Sequence, residues 1–429
     1  MAAENGFDLT ALNNELGAYH RQHHQVIEEK LLYGHETGQH MTTIPSTIDQ
    51  KAMAKGEMSE VSQAFTPKVT YKGDYKLSAN IIRTDDIMLA YRFVPKVLRK
   101  SWAGYLVQNR LTQQQLPFIN YMVSKALKQF IHEHETKHIA KGYRKEPEDN
   151  KAGAAINAMT GFIIRAFMGM MKGSIIPIDL QGFFNRDTIG DYVSNQIWKI
   201  PHLYRTSGDL MCLMSTDNAQ AYNIATGQDN NIQFVYSIPQ NFDPKTAVMP
   251  QVPQGQTYVK GTRIPVIGLP SFGDSNLIMF VNKNNLKKAF DENSLQFEPL
   301  QYDDFYVKVL ASMNVGTGFT WDELVWVCGS LSETPIITDI TSVTNSAFTL
   351  NWETAWGSSG YEIDVSPNAD FSGGATTNVD GMETLNQAIT GLSPNTTYYI
   401  RQRSKIQRES STDKYLSFNS QVRQITTAA

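Results

Sequence analysis

The chain has 429 residues, 41% of them hydrophobic and 10% aromatic, which suits two or three domains with real cores and excludes a disordered chain. Its formal net charge of -4 excludes the overall basic field behind tight, sequence-independent binding to nucleic acid, so any contact with a polyanion must be local. Two cysteines far apart, Cys212 and Cys328, exclude a disulfide framework or a Cys-rich metal site and fit a reducing compartment.

The N-terminal stretch "MAAENGFDLTALNNELGAY" has neither a basic nor an apolar leader region, so no secretory signal is expected. Residues 1–65 read as a polar arm carrying His20, His23, His24, His35 and His40. His20 and His24 have chelating i,i+4 spacing, but no Cys or acidic partner frames them, and an exposed amphipathic arm is the expectation. The alternating stretch "FTPKVTYKGDYKLSANIIRTDDIMLAYRFVP" predicts a two-stranded excursion turning at Gly73-Asp74, followed by a short helix in "PKVLRKSWAGYL".

A long helix is predicted next, over 117–141. Ile119, Val123, Ala126, Leu127, Phe130 and Ile131 recur with helical period, and Gly142 serves as C-cap. At its end His134-Glu135-Thr136-Lys137-His138 fits H-E-x-x-H, in which two His at i and i+4 share a zinc and the Glu activates water. Lys137 would set a cation between the ligands, against the field of a divalent ion. The extended motif needs Gly at 141 and His at 144, where the chain has Lys141 and Arg144. Glu146 and Glu148 follow the helix stop too closely to turn back as a third ligand. His134, Glu135 and His138 are therefore read as structural, with the two rings extending the stripe of Phe130, and no metal or cofactor is expected.

The most apolar run, "MTGFIIRAFMGMMKGSIIPIDL", is interrupted by Arg165 and Lys172 and reads as a packed helix, not a membrane span. Helix, loop, strand and helix follow in "DTIGDYVSNQIWKIPHLYRTSGDLMCLMSTDNAQAYNIA", with Asp187, Asp191 and Asp209 as helix-start and turn residues. An insertion-like stretch, "IQFVYSIPQNFDPKTAVMPQVPQGQTYVKG", leads to a strand pair in "GTRIPVIGLPSFGDSNLIMF" and to closing strands up to residue 330. No phosphate loop, nucleophile elbow or paired-carboxylate arrangement occurs along this course.

Gly329, Ser330, Ser332 and Pro335 mark a boundary, after which "AFTLNWE", "GYEIDVS", "TTYYIRQR" and "SQVRQIT" alternate apolar and polar residues. This predicts an antiparallel sandwich over 333–429. Phe348, Leu350 and Trp352 share one face, and "LSPNTTY" places Leu392, Pro394, Thr396 and Tyr398 before a strand. The segment resembles the fibronectin type III family, an immunoglobulin-like fold; the resemblance implies that Trp352 fills the core and that Tyr398 forms a tyrosine corner. Gln402 departs from it, being polar where the family turns an apolar residue inward. Asn395 starts a sequon that matters only in a secreted eukaryotic protein.

The order of elements before residue 330 resembles the major capsid protein of tailed bacteriophages, the Hong Kong 97 fold shared with encapsulins. The resemblance implies an α+β fold with an N-arm (1–65), an E-loop (66–94), a spine helix (117–141), an axial domain (about 175–260) and closing peripheral strands (261–330). It further implies a structural protein, not an enzyme, that self-assembles through pentamers and hexamers into an icosahedral head around double-stranded DNA. Portal and auxiliary capsid proteins would be partners, and the virion its location after synthesis in the bacterial host cytoplasm. Arg21, Lys30, Lys51 and Lys55 in the arm are candidates to face the DNA. The sandwich is expected on the outer surface, with glycans or host surfaces as possible ligands and no membrane contact. A phage tail or fibre protein is the alternative, and an H-E-x-x-H hydrolase a more distant one.

Overall fold

The computed structural model describes residues 36–45, 47–65, 71–108, 110, 118–149, 151–179, 184–206, 208–230, 257–291, 294, 296–298, 301–303, 306–329, 334–355, 357–407, 414–417 and 419–429, with 14, 15, 18 and 21. His20, His23, His24, His35, Lys30, most of the insertion-like stretch and linker residues 330–332 lie outside the described residues.

In chain order, α1 (Glu36–Gln39), β1 (Thr42–Ile44), β2 (Gln50–Met58), β3 (Tyr75–Arg83) and β4 (Asp85–Phe93) come first. Helices α2 (Pro95–Gln108), α3 (Phe118–Glu133) and α4 (Phe162–Lys172) follow, then α5 (Ile189–Ile197), α6 (His202–Arg205), β5 (Leu210–Ser215) and α7 (Thr216–Asn230). Next are β6 (Val266–Leu269), β7 (Leu277–Asn282), β8 (Leu286–Phe290), β9 (Gln296–Phe297), β10 (Gln301–Asp303), β11 (Tyr306–Phe319) and β12 (Val325–Gly329). The C-terminal strands are β13 (Ile337–Thr341), β14 (Ala347–Trp352), β15 (Gly360–Ser366), β16 (Ala375–Asp380), β17 (Asn386–Thr390), β18 (Thr397–Gln407), β19 (Lys414–Leu416) and β20 (Arg423–Thr426).

The chain divides into two compact units, Met1–Arg165 with Asn284–Trp321, and Ala166–Lys283 with Asp322–Ala429. The first is built on a sheet ordered β1-β8-β11-β10, with β4 and β9 also pairing with β11. Long β11 is shared along its length: Val307 to Val315 pair with β4, and Val315 to Phe319 pair with β8. Helix α3 lies on this sheet because Val123, Leu127 and Phe130 recur every three or four residues and enter one core with Ile87, Val307, Val309 and Val315. The predicted helix over 117–141 is α-helical only to Glu133; His134–His138 form a π-helical turn, with Ile139 N–H donating to the His134 carbonyl.

The two-stranded excursion differs from the expectation. Its strands are β2 and β3, paired antiparallel from Gln50↔Arg83 to Met58↔Tyr75, so the first strand comes from the stretch assigned to the arm. Gly73-Asp74 closes the loop instead of centring the turn: Asp74 N–H donates to the Ser59 hydroxyl at 2.7 Å. The physical reason lies in β4. Ile87, Leu89 and Tyr91 carry apolar surface that is better buried on β11 and α3 than on a free hairpin, and this leaves β3 to find β2. The hairpin is tied down at its base, where Ile82 is buried with Ile44 and Ala289. Asn80 there donates to the Phe319 carbonyl at 2.9 Å, and Lys55 lies over the Trp321 ring.

The second unit contains a four-stranded sheet, β12-β7-β5-β6, in which β5 runs parallel to β6 and antiparallel to β7. All six residues of β5, "LMCLMS", are buried, as a central strand covered on both faces requires. Cys212 and Cys328 are free thiols buried in this sheet. The stretch 261–330 was expected to close one peripheral domain, yet it is divided: β6, β7 and β12 join β5, while β8 to β11 join β1 and β4. Among the described residues no helix is long and apolar enough to cross a membrane.

Residues 334–429 form two facing sheets, β13-β14-β17 and β16-β15-β18-β19, the latter with β20 also on β18. Their shared core holds Phe348, Leu350, Trp352, Tyr361, Ile363, Tyr398 and Ile400. The sandwich does not stand wholly apart from its unit. Gly357, at φ 81°, lies against Phe167, and a Cβ there would come 2.1 Å from that ring.

Candidate functional site

Three places carry the side chains singled out in the sequence. At the end of α3, His134 and His138 are buried, the first ring stacked on Phe130 at 5.7 Å between centroids and the second edge-on to His134 at 5.6 Å. Burial pushes the His138 imidazole down to about 4, against the pull of nearby Glu133, so the ring is neutral. Glu135 points elsewhere. Its Oε1 accepts from the Thr37 hydroxyl at 2.5 Å and its Oε2 from the Thr37 N–H at 3.3 Å. A carboxylate spent on these two donors is poorly placed to activate a water between the histidines. Among the described residues, no group of three or more His, Cys, Asp or Glu is placed to hold a metal ion.

Lys288 completes this polar cluster and was not singled out in the sequence. It is 1% exposed on β8, with Thr43 of β1 and Thr317 of β11 in register on either side. Burial pushes its amine down to about 7, and the Glu135 carboxylate pulls the other way. Burial likewise holds Glu135 above the ordinary carboxylate range, despite the Thr37 hydrogen bonds. One signal was available: in "NLKKAF", Lys288 alternates with Leu286 and Phe290, on the face a strand turns inward. Thr37 offered no such signal.

The second place is the β2–β3 hairpin and the loop joining its strands. Phe65 is 93% exposed, Tyr71 94%, Leu77 70% and Met58 65%, with Val61 and Tyr75 also open to solvent. Beyond its base this excursion has almost no buried apolar side chain of its own among the described residues. Lys51, one of the basic residues considered for DNA contact, lies on it and is exposed, as Arg21 is in the arm.

The third place is the sandwich. Trp352 is 3% exposed and packs edge-on against Tyr361 at 5.3 Å. Its indole Nε1 finds no hydrogen-bond partner among the described residues. The Tyr398 hydroxyl accepts from the Ser393 N–H at 2.9 Å, five residues upstream, which is the geometry of a tyrosine corner. Gln402 points inward in register with Ile363, and its side-chain amide is fully buried without a partner among the described residues.

On the other face of the β15–β18 pair the basic residues are neutralised. Arg401 Nε donates to Asp364 at 2.9 Å and Arg403 Nε to Glu362 at 2.9 Å. Lys405 meets Asp380 at 2.9 Å, and Lys414 pairs with Glu362. Burial works against ionisation of Asp364, yet hydrogen bonds from Thr376 and Arg401 outweigh it and hold this carboxyl below the usual range. Interleaved in this way, the charges form no basic stripe.

No family model matches the sequence, and no curated relative matches it. Among solved structures, the chain is similar to the satellite phage P4 procapsid including size determination (Sid) protein, at 13% identity and a TM-score of 0.47, over 71% of this chain and 90% of that one. It is also similar to the capsid of an empty GTA particle, at 12% identity and a TM-score of 0.39, over 68% and 88% of the two chains. A smaller likeness, at 17% identity and a TM-score of 0.19, covers 23% of this chain and 78% of the fn3 domain of human contactin 1.

Proposed function

We propose that the chain is the major capsid protein of a tailed bacteriophage, a structural protein without catalytic activity, of Hong Kong 97 type. In this reading, pentamers and hexamers of identical chains close into an icosahedral head around double-stranded DNA, and the virion is where the protein acts. The β2–β3 hairpin carries the reading. A two-stranded ribbon is marginal alone in water, and one holding Phe65, Tyr71, Leu77 and Met58 in the open gains order only against another surface. Covering four such side chains contributes roughly 6 to 12 kcal/mol per copy before the costs of association, enough to hold neighbours in a closed ring. A second copy of the same chain is the partner that supplies such a surface in every subunit of a symmetric shell.

Two further features support the reading. Among the described residues an extended hairpin, a long helix and a strand–helix unit (β5 and α7) come in the order that the capsid resemblance implies. The polar cluster at α3 offers a structural account of the H-E-x-x-H pattern. We place the sandwich, as a fibronectin type III-like domain, on the outer surface, because Arg401, Arg403 and Lys405 are each paired with a carboxylate of their own sheet and so form no basic stripe for packaged DNA. Its work there is display, with weak contacts to glycans or host surfaces amplified by copy number.

The test is assembly of the full chain. Light scattering and negative-stain microscopy should show rings or closed particles, and Leu77→Asp with Tyr71→Asp should leave subunits that fold but do not associate. A persistent monomer under native assembly conditions, or unimpaired assembly by the double variant, overturns the capsid reading. Particle density placing residues 334–429 on the inner surface overturns display.

A further inference from the structure

The contact between Thr37 and Glu135 joins residues 98 positions apart and ties α1 to the end of the long helix through hydrogen bonds to a charged group. Thr37 is fully buried and commits both its N–H and its hydroxyl to the same carboxylate, one to each oxygen. Directly after α1 the chain is held differently. β1 pairs in parallel with β8, and Thr47 N–H donates to the Phe290 carbonyl at 3.0 Å, both backbone interactions independent of charge.

We propose that Glu135 is an acid-releasable anchor: its carboxylate seats α1 through Thr37, and protonation of that carboxylate frees α1 while β1 stays in its sheet. The inference does not depend on the capsid reading.

The chemistry follows from donor counting. Thr37 brings two donors, and ionised Glu135 is an acceptor at both oxygens, so the match is complete. A protonated carboxyl turns one oxygen into a donor: facing the Thr37 N–H it meets another donor, facing the hydroxyl it makes that group turn and accept, and in either case the contact loses its charge assistance. The charged groups around Glu135 act in opposite senses. Glu36 on α1 is a like charge that favours protonation, whereas Lys288 on β8 favours ionisation. On Glu135's own turn, His134 and His138 are buried beside it, and burial pushes the His138 imidazole down to about 4.

Hydrogen exchange of the intact, full-length protein, corrected for the intrinsic pH dependence of exchange, reads this directly. Between neutral and acid pH, amides of residues 36–40 should lose roughly tenfold in protection, the worth of one charge-assisted bond, while β7 at 277–282 keeps its own. Glu135→Gln, which presents the same donor at one oxygen permanently, should show low protection of 36–40 at both values. Should that variant fail to fold, Thr37→Val keeps the shape without the hydroxyl, and should lower protection of 36–40 at the higher pH and flatten its pH dependence. Unchanged protection of 36–40 in the wild type across the range overturns the proposal. So does a Glu135→Gln protein with the wild-type pH dependence, which assigns the acid response to His138 or Lys288.

Discussion

Replacing Trp352 probes the sandwich where its packing and its polar bookkeeping pull in opposite directions. Truncation of a buried large aromatic to alanine costs about 3 to 5 kcal/mol, and Trp352 qualifies, being 3% exposed in a core with Tyr361 edge-on at 5.3 Å. Its Nε1–H is buried without a partner among the described residues, a penalty of about 1 to 3 kcal/mol that the native state already carries. Trp352→Ala removes that penalty with the ring, so the net loss should fall to about 2 kcal/mol, taking the middle of each range. Trp352→Phe discards the same N–H but keeps most of the ring contacts, so its cost should stay within about 1 kcal/mol. Hydrogen exchange of β18 amides in the intact chain measures both, since strands of one cooperative unit report a common opening free energy. If Trp352→Phe costs as much as Trp352→Ala, the indole N–H is engaged and the reasoning is wrong. If Trp352→Ala leaves β18 protection unchanged, Trp352 is not a core residue of this domain.

Tyr398→Phe should destabilise the same domain by about 1 to 2 kcal/mol by stranding the Ser393 N–H, again measured by β18 exchange. Elemental analysis of the native protein should find far less than one zinc per chain, and His134→Ala combined with His138→Ala should not change that content; stoichiometric zinc lost in the double variant would reverse the structural assignment. His138 also gives stability a pH dependence of known sign. With its folded value near 4 and an ordinary value near 6.5, the unfolded chain takes up a proton that the folded chain refuses. Stability should therefore fall as pH drops through that window, by about 3 kcal/mol in total, and His138→Gln should remove this component from a urea titration repeated across pH.

Local pattern was enough to place several elements and to say why they form. The helical recurrence of Val123, Leu127 and Phe130 marked both the existence of α3 and the face it buries, because a period of 3.6 aligns those side chains whatever lies opposite. Alternation in "AFTLNWE" and "TTYYIRQR" marked β14 and β18, and the turn before Tyr398 marked the corner its hydroxyl closes, since each depends on residues within one strand and its adjoining turn. Choice of partner is a different kind of quantity. β2, "QKAMAKGEM", has little apolar periodicity and becomes a strand because β3 needs an edge once β4 is taken by β11. The division of 261–330 between two sheets, the burial of Lys288 and the seating of Glu135 on Thr37 are of the same kind. Each is settled by contacts between segments tens to hundreds of residues apart, where the free energy of covering apolar surface and satisfying buried polar groups outweighs local preference, so tertiary structure alone decided them.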